Sequence, residues 1–245
     1  MIAGLAVPIM AHDSLKMSGQ IQLERVLAEL KEYGDPKNVE GMARFGINVP
    51  NALGVSAPNL RKLAKEIGKD HGLAGQLWKT GIHDARLLAT LVDDPAKVTR
   101  RQMERWVKDI NSWGLCDAAC GCLFDKTPYA WDKAIEWTAR DEEYVKRAGF
   151  VLMATLAVHD KKAPDDRFED FLPYLVEHAT DERNFVKKGV NWALRQIGKR
   201  NRRLNKLAIR TGRQIQKLDS RAARWIASDA LRELNSEKVK ARLKA

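Results

Sequence analysis

Trp113 and Asp117 stand four residues apart in the segment NSWGLCDAACG, residues 111–121. On a helix they share a face, which Cys120 and Phe124 would continue. Asp117 is the only charged residue between Asp109 and Asp125, in a chain of which 31% is charged. A carboxylate in such surroundings costs free energy unless it reaches solvent or a cation. The cation must come from another segment, and two segments offer one. Lys146 and Arg147 precede the apolar run AGFVLMATLAV, and VKKGVNWALRQIGKRNRR sets Lys188, Trp192 and Arg195 on one helix face. Tryptophan interleaved with cations makes a surface for nucleic acid, stacking beside phosphate contacts.

The elements that position these residues read as helices. Pro and Gly punctuate apolar-periodic stretches such as SGQIQLERVLAELKEYG, APNLRKLAKEIGKDHG, DARLLATLVDD, TRRQMERWVKDI, EDFLPYLVEHAT and SRAARWIASDALREL. In the first, Ile21, Leu23, Val26, Leu27 and Leu30 form an apolar stripe. Internal echoes add an organisation: ARLLATLVDD resembles FVLMATLAVHD, and DEEYVKRAGF (141–150) resembles DERNFVKKGVN (181–191), with SRAARWIASDAL (220–231) a third copy. A period near 40 with two helices per unit predicts an all-α superhelix of HEAT-like repeats, a curved solenoid with a concave basic face. An irregular helical bundle is the alternative. One domain is expected over 18–245, preceded by a disordered extension over 1–17, with Met10 and Met17 as alternative starts.

Charge narrows the partner. Residues 183–245 hold 19 Lys or Arg against 4 acids, whereas 1–182 hold 24 against 28. That asymmetry points to a polyanion, nucleic acid before anionic membrane, because each phosphate neutralised releases counterions. Cys116, Cys120 and Cys122 lack zinc-ligand spacing and are too few for a disulfide framework, so they read as helix filling in a reducing cytoplasm. No run is long enough to span a bilayer, and the apolar start lacks the basic residues of a signal peptide. His12, His71, His83, His159 and His178 form no metal-ligand pattern, and no phosphate-binding glycine loop occurs. Trp78, Trp106, Trp131, Trp137 and Trp225 are expected in the core.

With GVSAPNLRKLAK, SWGLCD, YVKRAGFVLMA and KKGVNWALRQIGK in this order, the chain resembles the DNA alkylation repair family, AlkD-like DNA glycosylases built from HEAT-like repeats, over roughly residues 20 to 235. The resemblance implies a monofunctional glycosylase that removes cationic alkylated purines, 3-methyladenine and 7-methylguanine, from double-stranded DNA. It acts without metal or cofactor, and the protein is expected to be a cytoplasmic monomer. Asp117 would stabilise the positive sugar and orient or deprotonate water, and Trp113 and Trp192 would flank sugar and base. Arg147 would hold a phosphate near the lesion or keep Asp117 ionised. Lys188, Arg195, Lys199, Arg200, Arg202 and Arg203 would contact phosphates, with Arg210, Arg213 and Arg224 as further contacts. The chain departs from the pattern where Ser112 precedes Trp113 and GLC fills the gap to Asp117. It departs again in having Phe45 nearest the place of an aromatic hydroxyl. Both differences bear on substrate range. A non-catalytic protein recognising distorted or branched DNA is the alternative, and a protein-interaction scaffold a third.

Overall fold

Several apolar runs are preceded by a short polar side chain that can accept a hydrogen bond from the first helical turn. Asp35, Ser56, Asp70, Thr99, Ser112, Asn201 and Ser220 all do so, and each starts a helix. The computed structural model describes residues 9–47 and 50–244, and no strand occurs among them. The chain divides into two compact units, Met1–Lys97 and Val98–Ala245, where the sequence reading expects one domain from residue 18. The expected boundary at residue 17 falls inside the first helix, and residues 1–8 of that extension lie outside the described residues.

The first unit contains α1 (Ile9–Glu32), α2 (Pro36–Arg44), α3 (Ala57–Ile67), α4 (His71–Lys79) and α5 (His83–Val92). Val26 and Leu30 of α1 are fully buried, whereas Ile21 is 64% exposed. Ile21 lies about 140° around the helix from Val26, outside the buried stripe. The GVSAPNLRKLAK motif is a loop followed by α3. Asp84 of α5, itself buried, accepts the amides of Leu53 at 2.6 Å and Val55 at 2.8 Å. Between them Gly54 takes φ +77°, and a Cβ there would lie 2.3 Å from the Asp35 carbonyl, so only glycine fits.

The second unit contains α6 (Arg100–Lys108), α7 (Trp113–Ala118), α8 (Ala130–Glu136), α9 (Glu143–His159), α10 (Asp165–Glu169), α11 (Leu172–Glu177), α12 (Asn184–Gly198), α13 (Arg202–Gln216), α14 (Arg221–Leu234) and α15 (Glu237–Lys244). Two rows result. In one, α7, α9, α12 and α14 pack successively; in the other lie α6, α8, the α10–α11 pair and α13. Contacts between neighbours in the first row advance together along both chains, so these helices run parallel. Lys187 meets Trp225, Asn191 meets Ile226, and Arg195 meets Glu233. The echoed segments at 141, 181 and 220 are the starts of α9, α12 and α14, which is why they repeat. EDFLPYLVEHAT (169–180) is helical over a shorter stretch than expected, beginning on the last residue of α10 and holding α11, Leu172–Glu177. Pro173 lacks an amide proton and sits in the first turn of α11.

Of the tryptophans expected in the core, Trp78, Trp106 and Trp137 are buried, and Trp131 is half-buried against Phe168 and Phe171. Trp225 departs from the expectation at 40% exposure. The buried stripe of α14 is Ala222, Ala223, Ile226, Ala227, Ala230 and Leu234, and Trp225 lies on its flank.

Candidate active site

Ser112 fixes the start of α7. Its hydroxyl, fully buried, accepts the Leu115 amide at 3.3 Å. After Ala118 the helix widens into a π turn, Ala119–Leu123, and then a 3-10 turn, Phe124–Lys126. π turns carry five-residue hydrogen bonds and recur at functional sites. This one changes which residues share a face: Trp113 and Asp117 remain half-exposed while Cys120 and Phe124 are wholly buried. The apolar face expected to continue from Trp113 through Phe124 is therefore broken at the π turn.

α7 and the π turn together dock on α9. Cys116 Sγ lies 3.9 Å from the Tyr144 carbonyl and Cys120 Sγ 3.7 Å from that of Ala148. Burial first, and the neighbouring Cys116 next, push the Cys120 thiol well above its ordinary range, so it packs as a neutral group.

This docking brings Asp117 to its cation. Arg147 Nη2 donates to Asp117 Oδ1 at 2.8 Å, and Arg147 Nη1 donates to the Phe185 carbonyl of α12 at 2.8 Å. The arginine side chain is 6% exposed and the aspartate 26%. The guanidinium is thus held from two helices while one side of the carboxylate faces solvent. Gly189 packs α12 closely on α9, since a Cβ there would lie a tight 3.3 Å from Phe150 Cβ. Burial pushes the Asp117 carboxyl above its ordinary range, and the charge and hydrogen bond of Arg147 oppose that rise.

Two aromatic residues absent from the sequence reading complete the surroundings. Tyr144 and Phe185 stack at 5.5 Å between ring centroids, beside the Arg147 hydrogen bond to Phe185. The echo of EYVKR in NFVKK aligns them, and that was the available signal. Phe185 shares a face of α12 with Lys188 and Trp192, at intervals of three and seven residues. Trp192 is half-buried and Lys188 exposed.

The remaining basic residues are engaged with the protein itself. Arg195 Nη1 and Lys199 Nζ both donate to Glu233, at 2.5 and 2.7 Å. Arg200 donates to the carbonyls of Ala157 and Asp160, each at 2.9 Å, and lies over the Phe168 ring. Arg202 Nε donates to the Leu243 carbonyl at 3.0 Å, and Arg203 pairs with Asp166 and Glu169. Arg200 therefore closes the end of α9, whereas Arg202 and Arg203 keep exposed side chains. Two histidines have partners that the sequence did not suggest. His71 meets buried Asp93 at 2.6 Å, and His159 meets buried Asp125 at 2.5 Å. Among the described residues no cluster of His, Cys, Asp and Glu is arranged to hold a metal ion. No described helix is long and apolar enough to cross a membrane.

Comparison with known families matches residues 26–234 to the model of the DNA alkylation repair enzymes. The chain belongs to the DNA alkylation repair enzyme family. Every residue placed at the site above falls within the family's matched span. A solved structure described as "a new family of proteins related to the HEAT-like repeat DNA glycosylases with affinity for branched DNA structures" is similar at TM-score 0.73 and 20% identity, covering 90% of this chain and 95% of that one. At that identity the likeness establishes the HEAT-like repeat fold. A designed armadillo repeat protein covers 73% of this chain and 92% of its own, with 15% identity, but at TM-score 0.33 it adds nothing to the fold. No curated protein matches the chain.

Proposed function

We propose that this member of the DNA alkylation repair enzyme family is a monofunctional glycosylase, hydrolysing the N-glycosidic bond of cationic alkylated purines in duplex DNA. The observation that carries the reading is the half-exposed Asp117 carboxylate, held by a buried arginine. An alkylated purine such as 3-methyladenine or 7-methylguanine carries a positive charge and is already a good leaving group. As the bond from C1′ to the purine breaks, its electron pair returns to the base, which departs neutral, and positive charge builds on the sugar. The fixed carboxylate stabilises that charge because it is anionic before the reaction starts and need not reorganise. Water then adds to C1′ and gives up its proton to Asp117 or solvent, leaving an abasic site. Trp113 and Trp192 offer π faces to the cationic base and sugar.

Arg147 spends both terminal nitrogens on Asp117 and Phe185. Its part is to hold the carboxylate in place and ionised; phosphate contact falls to Lys188 and to the exposed cations Arg202 and Arg203. We read the protein as a cytoplasmic monomer that needs no metal or cofactor. Incubation with methylated duplex DNA is expected to release free 3-methyladenine or 7-methylguanine, measured by chromatography. Absence of release with every cationic adduct tried would end the enzymatic reading. A second reading is non-catalytic binding to branched or distorted DNA, favoured by the affinity described for the solved structure above.

Arg195 and Lys199 share the Glu233 carboxylate, which competes with phosphate for both. Glu233→Gln is expected to tighten duplex binding about two- to fivefold near 0.1 M salt, with a steeper salt dependence, by about one contact. Fluorescence anisotropy over a salt series measures both. Unchanged affinity and slope would place these two cations away from the DNA.

A further inference from the structure

We infer that Trp225 is a stacking site for an unpaired DNA base, one repeat beyond the Asp117 site. The inference rests on the reading that the chain binds DNA, and does not require glycosylase activity.

The repeat register carries it. Glu143, at the start of α9, accepts the amide of Phe185 in α12 at 3.3 Å. Glu182, two residues before the start of α12, accepts the amide of Ala222 in α14 at 3.1 Å. Phe185 and Ala222 are each the second residue of their helix and each gives its amide to a glutamate of the preceding repeat, so they are equivalent positions, and Lys188 and Trp225 each lie three residues further on. Lys188 is the exposed cation next to the Arg147 site, so Trp225 occupies the corresponding place in the following repeat.

The surroundings suit an anionic partner with an aromatic face. Lys187 Nζ of α12 lies 5.5 Å from the Trp225 ring centroid. Arg221, one turn before, is exposed on the same face of α14, and Arg224 and Ser228 are exposed beside it. Arg224 and Arg232 pair with Asp219 and Asp229 on their own segment. An indole left 40% exposed among cations fits base stacking flanked by phosphates. In an intact duplex both faces of each base are already stacked, so a bare indole selects a base that has lost a neighbour, as at a fork, flap or junction. A protein partner or a second copy of this chain is poorly served by a face with this charge.

The test measures affinity by anisotropy for an intact duplex, a fork with unpaired bases and a single strand of the same length. Trp225→Ala is expected to weaken binding to the fork and the single strand about tenfold or more, with a change under about twofold on the duplex. Trp225→Phe should recover most of the loss. Equal losses on all three DNAs, or none, would overturn the inference. In the unaltered protein, 5-iododeoxyuridine at the unpaired position should photo-crosslink to the peptide containing Trp225, and a crosslink elsewhere would contradict it. Lack of base release with this fork preference intact removes the glycosylase reading alone. Base release with no effect of Trp225→Ala removes this inference alone.

Discussion

Asp117→Asn is expected to slow release of a methylated purine by at least about 100-fold, the scale for losing one preorganised electrostatic group at a reacting centre. Duplex affinity should change little, because Asp117 contacts no phosphate in this account. The substituted amide can still accept the Arg147 hydrogen bond, so the cost in stability should stay within about 2 kcal/mol. A folded protein that binds DNA but does not turn over is the signature sought. The pH dependence follows from the burial of Asp117. Its carboxyl titrates above the ordinary range, and the proposed mechanism uses the ionised form. Activity should therefore fall on acidification at a pH above that of a free aspartate, and Asp117→Asn should lack this limb. The linkage to stability has its own sign. Between the unfolded and the folded pKa the native state holds the proton more tightly, so this group makes the fold less stable as pH rises through that window.

Arg147→Ala should have the larger effect on the fold, lowering stability by roughly 3–5 kcal/mol, the range for removing one partner of a buried ion pair. The change strands the carboxylate of Asp117 and the carbonyl of Phe185, both of which this guanidinium satisfies at 2.8 Å. Arg147→Lys keeps the charge but lacks the fork that reaches two acceptors on different helices. It should cost about 1–3 kcal/mol, one charged hydrogen bond, and move the acid limb of the activity profile upward. Denaturant unfolding followed by circular dichroism measures the first effect and a pH series the second. An arginine that served only to hold phosphate would instead weaken DNA binding and leave the acid limb where it was.

How far the sequence discloses this arrangement differs from residue to residue. Asp117 was legible because a lone carboxylate on an apolar helix needs a cation, and Arg147 because it stands just before the apolar run AGFVLMATLAV, in one of two segments able to supply that cation. The helices were legible in their apolar periodicity and in the Pro and Gly that punctuate it. The π turn after Ala118 was not, since a five-residue hydrogen-bond step has no residue pattern of its own. With it went the positions of Cys120 and Phe124, which point into the core instead of continuing the Asp117 face. Basic residues read as one phosphate-binding set separate once their partners are known. Arg200 is committed to the carbonyls that end α9 and Arg195 and Lys199 to Glu233, whereas Lys188, Arg202, Arg203, Arg210, Arg213 and Arg224 keep exposed side chains. Trp225 was misplaced because an indole one residue before a buried isoleucine has the composition of a core helix. The flank it occupies depends on how α12 packs against α14.

The central claim is that Asp117 makes this fold an enzyme. The most direct test is single-turnover release of 3-methyladenine from one methylated duplex by the unaltered protein and by Asp117→Asn, with affinity for the same DNA measured in parallel. The account predicts release by the former, a loss of at least about 100-fold in the latter, and similar affinities for both. Equal release by the two proteins, or none by either, would contradict it.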